Sequence, residues 1–565
     1  MQQAGCDFTP VPVPGYGHQD CLIGKHLDPL FERIRAFLDE PPRGRGARPV
    51  SEPALLAQAP WMGPMLLPDP AGGAYVLGAG ADPGRGFPLA FVLVAVERTQ
   101  AGFRRRAGWP VQRRYLDTTP VGDWLTEPLP AWADDFAVTH LAALFVYAGT
   151  AQADVPDADA VDAAVDRALA GMDAMADALP PGIVDLGWRQ ADGAALRLAL
   201  GSCQYPAGIF DDVPAYAAWQ RLVTRCADPR RRPHALILTG DQVYVDATAG
   251  LLDPSQRDER YRKPYEHWLH QRHVRDALRR LPVYTMLDDH EIDNDWAPLP
   301  QTAPAALRAR NAEYRRFGVE AFQRYQRARA TTPLWFETRL HEVEVFFADT
   351  RSERGCRDSR TAALAPIMDP AQHAALLDWI DRGAQHDRPK LLVAPAAMLP
   401  RHRYALCATG GPGTAAAAVQ SDGWDGWPAS WQAVLARIAD SGICGLVLLS
   451  GDEHLGLWVQ ARVQRMQHDI VDRDVRFESV HTAGLYTPYR FANAQRSDFV
   501  LADDFAFASA DGRYRYRCTL HTRVFEGAGF TFLELARSAG SSWKLRVEYD
   551  DGSDAPQRCG EAELS

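Results

Sequence analysis

The sequence predicts an α/β fold, on three observations. From about Ala194 onward, short apolar runs alternate with stretches of helical spacing. Those apolar runs end in polar, often acidic residues, and the tail beyond about Phe477 alternates as strands do. The strands expected are Leu196–Leu200, Ala235–Thr239, Val283–Leu287, Val343–Ala348, Leu391–Ala394 and Gly445–Ser450. Between them, apolar residues at helical spacing mark Pro214–Thr224, Ala305–Ala328, Ala371–Ala384 and Ala429–Ala439. The first of these opens on a proline, which suits a first helical position. Near-continuous apolar strands separated by helices imply largely buried sheets. In open α/β sheets, ligands collect beyond the carboxyl ends of strands. The unusual residues of this chain fall there.

The two ends of the chain read differently. In the tail, Arg513–Cys518 alternates with period two, and Phe530–Leu535 and Leu545–Tyr549 follow, closed by a turn at Asp550-Asp551-Gly552. Residues 1–190 carry Pro/Gly turns around Pro68–Gly73 and strand-like runs at Tyr75–Leu77 and Leu89–Val96. An Ala/Asp-rich helix is expected over Ala158–Leu179, ended by Pro180-Pro181-Gly182. This stretch holds no His, Cys or carboxylates at ligand spacing. An accessory module at 1–190 and a chemistry-bearing domain at 191–565 are therefore expected. A length of 565 residues allows two to four domains at roughly 150 residues each.

Bulk properties narrow the partners. With 46% hydrophobic and 24% charged residues, the chain can bury a sizeable core. A net charge of −11 argues against a sequence-independent grip on nucleic acid, which needs a basic face. The run Leu89–Val96 is too short to span a bilayer, so no membrane is expected. The start, Met1-Gln2-Gln3-Ala4-Gly5-Cys6, lacks a basic segment followed by an apolar one, which makes a cytoplasmic location the expectation. Nine cysteines without CxxC spacing signal neither a disulfide framework nor a zinc ribbon.

Five strand-end motifs carry the chemistry: Gly201-Ser202-Cys203-Gln204, Gly240-Asp241-Gln242-Val243-Tyr244, Asp288-Asp289-His290-Glu291, Asp349-Thr350-Arg351 and Gly451-Asp452-Glu453-His454. Each alone has an ordinary reading. A strand-end cysteine is usually a packed small residue, Gly-Asp is usually a turn or cap, and Asp-Thr-Arg can be a plain ion pair. Jointly those readings fail. Neighbouring strands would crowd Asp241, Asp288, Asp289 and Asp452 beside Cys203, and like charges in one buried crevice repel. Cations resolve the conflict directly, because carboxylates ligate them and stay ionised. Thiolate, phenolate and imidazole from Cys203, Tyr244 and His454 favour a transition metal, whereas Asp289 and Asp452 suit a harder ion. Asp241 is the natural bridge of a two-metal clamp for displacement at phosphorus.

These motifs, with Asp425-Gly426-Trp427-Pro428, resemble the PhoD-like alkaline phosphatase family of the calcineurin-like metallophosphoesterase superfamily, over about Leu196 to Tyr489. The resemblance implies a four-layer α/β/β/α sandwich and ferric iron beside calcium, with Mn2+ or Mg2+ able to replace calcium. By motif, Cys203, Asp241, Tyr244 and His454 would bind iron, and Asp241, Asp289 and Asp452 calcium. His290 would be the acid/base or phosphate donor, and Arg351 would grip a phosphate oxygen. The expected reaction is hydrolysis of a phosphate mono- or diester by metal-activated water.

The chain departs from the family pattern in three places. It lacks the twin arginines of secreted members, Leu391–Leu399 offers alanines where a polar residue is common, and Glu453 replaces an apolar residue. Two rival readings follow from the same residues. One makes Cys203 a nucleophile activated by a histidine such as His290. The other is a degenerate fold serving as a binding or scaffold protein.

Overall fold

The computed structural model describes residues 56–564 apart from 70–74, 81–86, 101, 116–123, 130–140, 150–156, 174–178, 191–194, 209–210, 249–256, 329, 407–414, 490–492, 510, 539–541 and 553–556. The strand Ala195–Gln204 organises the first sheet, because its side chains alternate between two buried faces. Leu196, Leu198 and Leu200 face one core, and Ala199 faces another. Ala235–Leu238 pairs parallel to it, and Val283–Thr285 pairs parallel to Ala235–Leu238. On its other side the chain's tail returns, with Thr531–Arg537, Trp543–Tyr549 and Gln557–Leu564 added antiparallel. The second sheet runs Phe336–Leu340, Val343–Phe347, Lys390–Val393, Leu446–Ser450, Ile470–His481, Gly456–Gln467, Arg515–Phe525, Ala502–Ala508.

Leucines, valines and aromatics from both sheets fill the space between them, Leu198, Ile237, Val345, Leu391, Leu449 and Leu533 among them. The outer face of the first sheet is covered by helices Ala217–Ala227, Arg257–His270 and Arg272–Leu278, through Trp219, Tyr265, Trp268 and Leu278. Helices Pro370–Gly383 and Pro428–Ser441 cover the second through Leu376, Trp379, Trp431 and Leu435. The result is the α/β/β/α sandwich. Local chemistry sets the helix ends. Asp369 accepts hydrogen bonds from the Ala371 and Gln372 amides ahead of Pro370, and Gly442 closes Pro428–Ser441 with a φ of 68°.

Upstream, Leu56–Gln58, Phe87–Thr99, Leu141–Gly149 and shorter strands form a six-stranded sheet around Val92, Phe145 and the helix Ala158–Ala170. Met62–Pro68, Tyr75–Gly80 and Trp124–Pro128 make a three-stranded sheet whose Met62, Leu66 and Leu77 join the core under helix Arg272–Leu278. Residues Leu55–Ser565 form one compact unit.

All six expected strands and all four expected helices of the α/β region form, with three differences. Pro214 sits inside a short helix, Asp212–Ala215, and the longer Ala217–Ala227 begins after a break at Tyr216. The upstream helix ends at Ala170, capped by Gly171, rather than at Leu179. Helix Arg257–His270 was not expected: it is polar and carries Pro264, yet buries Tyr261, Tyr265 and Trp268 on one face. The expected turn at Pro68–Gly73 falls largely outside the described residues.

Leu449 lies 1% exposed in the inter-sheet core, so Leu449→Ala should cost about 2–5 kcal/mol in chemical denaturation. A loss under about 1 kcal/mol would mean the sheets do not pack there.

A candidate metal centre at the strand ends

The site forms where the carboxyl ends of both sheets meet. Cys203 and Gln204 extend their strand by donating backbone N–H groups to the Gly240 and Asp241 carbonyls, at 3.2 and 2.8 Å. One buried carboxylate, Glu291, then knits two loops together. It accepts from the amides of Asp241 (3.0 Å), Gln242 (2.8 Å), Val243 (3.3 Å) and Asp288 (2.9 Å). Close approach depends on small residues. A Cβ at Gly240 would lie 2.5 Å from Asp288 Cβ, and one at Gly451 would lie 2.3 Å from both Ser202 Oγ and Thr239 Oγ1.

The backbone is strained where the donors sit. Cys203, Asp241, Asp452 and His454 hold φ of 56°, 58°, 80° and 59°, half of the eight non-glycine residues with positive φ among those described. Such conformations cost of order 1–3 kcal/mol each and persist where surrounding structure enforces them.

Ligand atoms converge in three groups, each with its atoms within 4.8 Å of one another: Cys203, Asp241 and His454; Asp241, Asp289 and His290; and Asp241, Asp288, Asp289 and Asp452. Asp241 belongs to all three. The Tyr244 hydroxyl lies 3.4 Å from His454 Nε2, and its ring stacks on His290 at 3.9 Å between centroids. His454 Nδ1 lies 2.8 Å from Asn493 Oδ1, so donation there leaves Nε2 with its lone pair toward Tyr244. Asp288 Oδ2 and Asp289 Oδ1 are buried and accept no hydrogen bond among the described residues. Orphaned carboxylate oxygens beside a thiol, a phenol and imidazoles suit cations well.

Arg351 is fully buried beneath these carboxylates. Its Nε donates to Asp288 Oδ1 at 2.5 Å, its Nη2 to Asp422 Oδ2 at 2.5 Å, and Nη2 also lies 3.7 and 3.8 Å from Asp289 and Asp452. Arg354, also fully buried, pairs with Asp422 at 2.5 Å. His290 Nδ1 is held by Asp246 at 2.9 Å.

Asp246, Asp422, Asn493 and the organising role of Glu291 were not singled out from sequence. Asp246 lies two residues past Tyr244, and Asp422 three before the noted Asp425, so proximity to motifs was the available signal. Glu453 pairs with His402 Nε2 at 2.7 Å, whose Nδ1 lies 2.9 Å from the Ser421 hydroxyl, and Asp425 closes the cluster. That buried network accounts for a glutamate at this position. Leu391–Leu399 supports the site by backbone: Pro395 O accepts from Gly451 N, and Ala397 O from Trp424 N.

Electrostatics follows from the crowding. Burial, then the charges of Asp289 and Asp288, push Asp241 well above the usual carboxylate range, and burial and Asp288 do the same to Asp452. Burial raises Asp288 to about 6, against Arg351, and Glu291 to about 7, against its backbone donors. Burial would also raise Asp289, but His290 and Arg351 outweigh it and hold it low. Burial alone would lower His290; the Asp289 and Asp246 carboxylates lift it to about 9 instead. Cys203 and Tyr244 are both pushed well up, by burial first and then by acidic neighbours.

A sandwich of two sheets with convergent donors at their strand ends defines a metallophosphoesterase. A profile of PhoD-like phosphatases matches residues 198–526, more than half of the chain, and the chain belongs to that family. It is thus a phosphatase that acts on phosphate esters with metal ions. No curated protein matches. Among solved structures, "Structure of PhoD" is similar at 13% identity, covering 92% of this chain and 94% of that one, with a TM-score of 0.49. A purple acid phosphatase, PPD1, from yellow lupin (Lupinus luteus) seeds is similar at 10% identity, covering 90% and 74%, with a TM-score of 0.45. A dimetal phosphatase from Danio rerio is similar at 9% identity, covering 66% and 99%, with a TM-score of 0.33.

The raised carboxyls bind protons more readily folded than unfolded. The metal-stripped chain therefore loses stability as pH rises from about 4 through about 6 for Asp288 and about 7 for Glu291. His290 acts in the same direction, its contribution fading as pH passes about 9. Cations require deprotonated donors, so thermal unfolding should show their stabilising shift growing between about pH 6 and about pH 8. A shift independent of pH would contradict this electrostatic account.

Proposed function

We propose that this centre hydrolyses phosphate mono- or diesters with a two-metal site. Ferric iron would be held by Cys203, Asp241, Tyr244 and His454, and calcium by Asp241, Asp289 and Asp452, with Mn2+ or Mg2+ able to take the calcium position. The observation that carries the reading is Asp241, the one carboxylate shared by all three groups of convergent donors. Cys203 and His454 converge with it in one group, with the Tyr244 hydroxyl beside His454, and three further aspartates converge with it in another, which supports two unlike cations.

When bound, the cations supply charge that offsets the phosphoryl oxygens and a water acidified toward neutrality as nucleophile. The chain's own residues do the rest. Asp246 fixes the His290 ring at Nδ1, so the opposite nitrogen is free to donate to the phosphoryl group or the leaving oxygen. In the metal-free chain the Asp289 and Asp246 carboxylates, against burial, raise its pKa to about 9. Arg351 was expected to grip phosphate. Its full burial and engaged guanidinium favour a supporting role, holding Asp288 and Asp422 in place.

The buried Cys203 thiol lies against Ser202 Oγ at 2.9 Å and Asp241 Oδ2 at 3.5 Å. A thiol pushed upward by burial, and then by the Asp241 and Asp452 carboxylates, is a poor nucleophile in the metal-free chain, which favours ligation over the covalent reading. Residues 1–190 are proposed as an accessory module ahead of a phosphatase domain at 191–565. Among the described residues, none of the convergent groups draws on the upstream segment.

Asp241→Asn should reduce hydrolysis of aryl phosphate mono- and diesters by roughly 10³-fold or more, with metal content falling in parallel. The wild-type chain should show visible charge-transfer absorption that shifts in Tyr244→Phe. Near-normal activity with full metal content in Asp241→Asn would reject the bridge, and an inert, metal-loaded wild type would favour the scaffold reading. His290→Asn should lower kcat by about 10²–10⁴-fold while metal content is retained; unchanged kcat would remove His290 from the reaction.

A further inference from the structure

At the opposite end of the central strand lies a second cavity, of about 430 Å³, lined by Arg197, Arg225, Arg230, Arg231 and Arg546 with Glu534 and Glu548. Arg197 precedes Cys203 by six residues on Ala195–Gln204, so at roughly 3.3 Å per residue the cavity lies on the order of 20 Å from the metal centre. It opens on the helix-covered face of the sheet, where Phe532 forms part of its wall and Arg225 packs 3.7 Å from that ring's centroid.

The charge balance is lopsided. Glu548 is answered by Arg225 at 2.7 Å and Arg231 at 3.2 Å. Glu534 stands between Arg197 and Arg546 as their cross-strand neighbour. Arg230 remains beyond these; five arginines and two glutamates line the cavity, and Glu561, opposite Arg546 on the next strand, stands outside that lining. Among the described residues, neither Arg230 nor Arg546 donates a hydrogen bond from its guanidinium, and Arg197 commits only its Nε, to the Arg232 carbonyl at 3.0 Å. Like charges held together on one face of a sheet repel, and an anion relieves that repulsion. Every cation lining the cavity is an arginine, whose planar fork suits oxyanions approached from several sides. The volume exceeds what a lone phosphate needs and falls within the range of small-molecule sites.

We propose that this cavity binds a small molecule carrying clustered phosphoryl groups, at a site separate from the metal centre. Methylenediphosphonate, which has a carbon bridge in place of the hydrolysable oxygen, is a suitable probe. The test is calorimetric titration of the full-length, metal-loaded protein with excess free cation. Binding at the cavity should persist in Asp241→Asn and weaken by roughly tenfold or more in Arg546→Glu. Arg230→Glu, at an exposed position, should weaken it similarly and guards against misfolding of the sheet variant. Arg546→Lys should recover part of the affinity. Loss of all binding in Asp241→Asn, titrations unchanged by both arginine substitutions, or tighter binding of citrate than of the diphosphonate would each overturn the proposal.

Discussion

The structure turns on a concentration of negative charge that the fold cannot neutralise by itself. Asp288, Asp289, Asp452 and Asp422 gather around the buried guanidinium groups of Arg351 and Arg354, and Asp241 and Glu291 join the same cluster. Glu291 is satisfied by four backbone amides, and Asp422 by both arginines. The other carboxylates share what remains, and among the described residues two of their oxygens have no hydrogen-bond donor. Burial without pairing is costly for a charge, so the cluster is stable as protonated acids or as ligands of cations. Ligation is the state that a phosphatase uses.

That constraint explains the local backbone. Donors from both sheets must reach one volume, which needs loops that turn sharply immediately after their strands. The left-handed conformations at Cys203, Asp241, Asp452 and His454, and the tight approaches at Gly240 and Gly451, are how the chain makes those turns. The inter-sheet core and the outer helices supply the packing that holds such strained residues in place.

Much of this was legible in the sequence because its signals are local. Apolar runs of strand length between helical segments identified the strands, and Gly-Asp and Asp-Asp-His-Glu at their ends pointed to side chains that the fold brings together. What escaped was of two kinds. Helix Arg257–His270 is polar and interrupted by Pro264, so its buried face of Tyr261, Tyr265 and Trp268 was masked by the residues between. The supporting residues Asp246, Asp422 and Asn493 are ordinary polar residues in loops, and their meaning comes only from what they touch.

The sequence by itself determined which side chains could carry the chemistry, because a strand's period and its terminal residues are written within a few positions. Tertiary structure decided how they are used. The tail returns beside the central strand, the second sheet brings Arg351, Asp452 and His454 to the first, and Arg351 ends up beneath the carboxylates. Pairings across 250 residues depend on sheet order and close packing, and no short-range pattern encodes them.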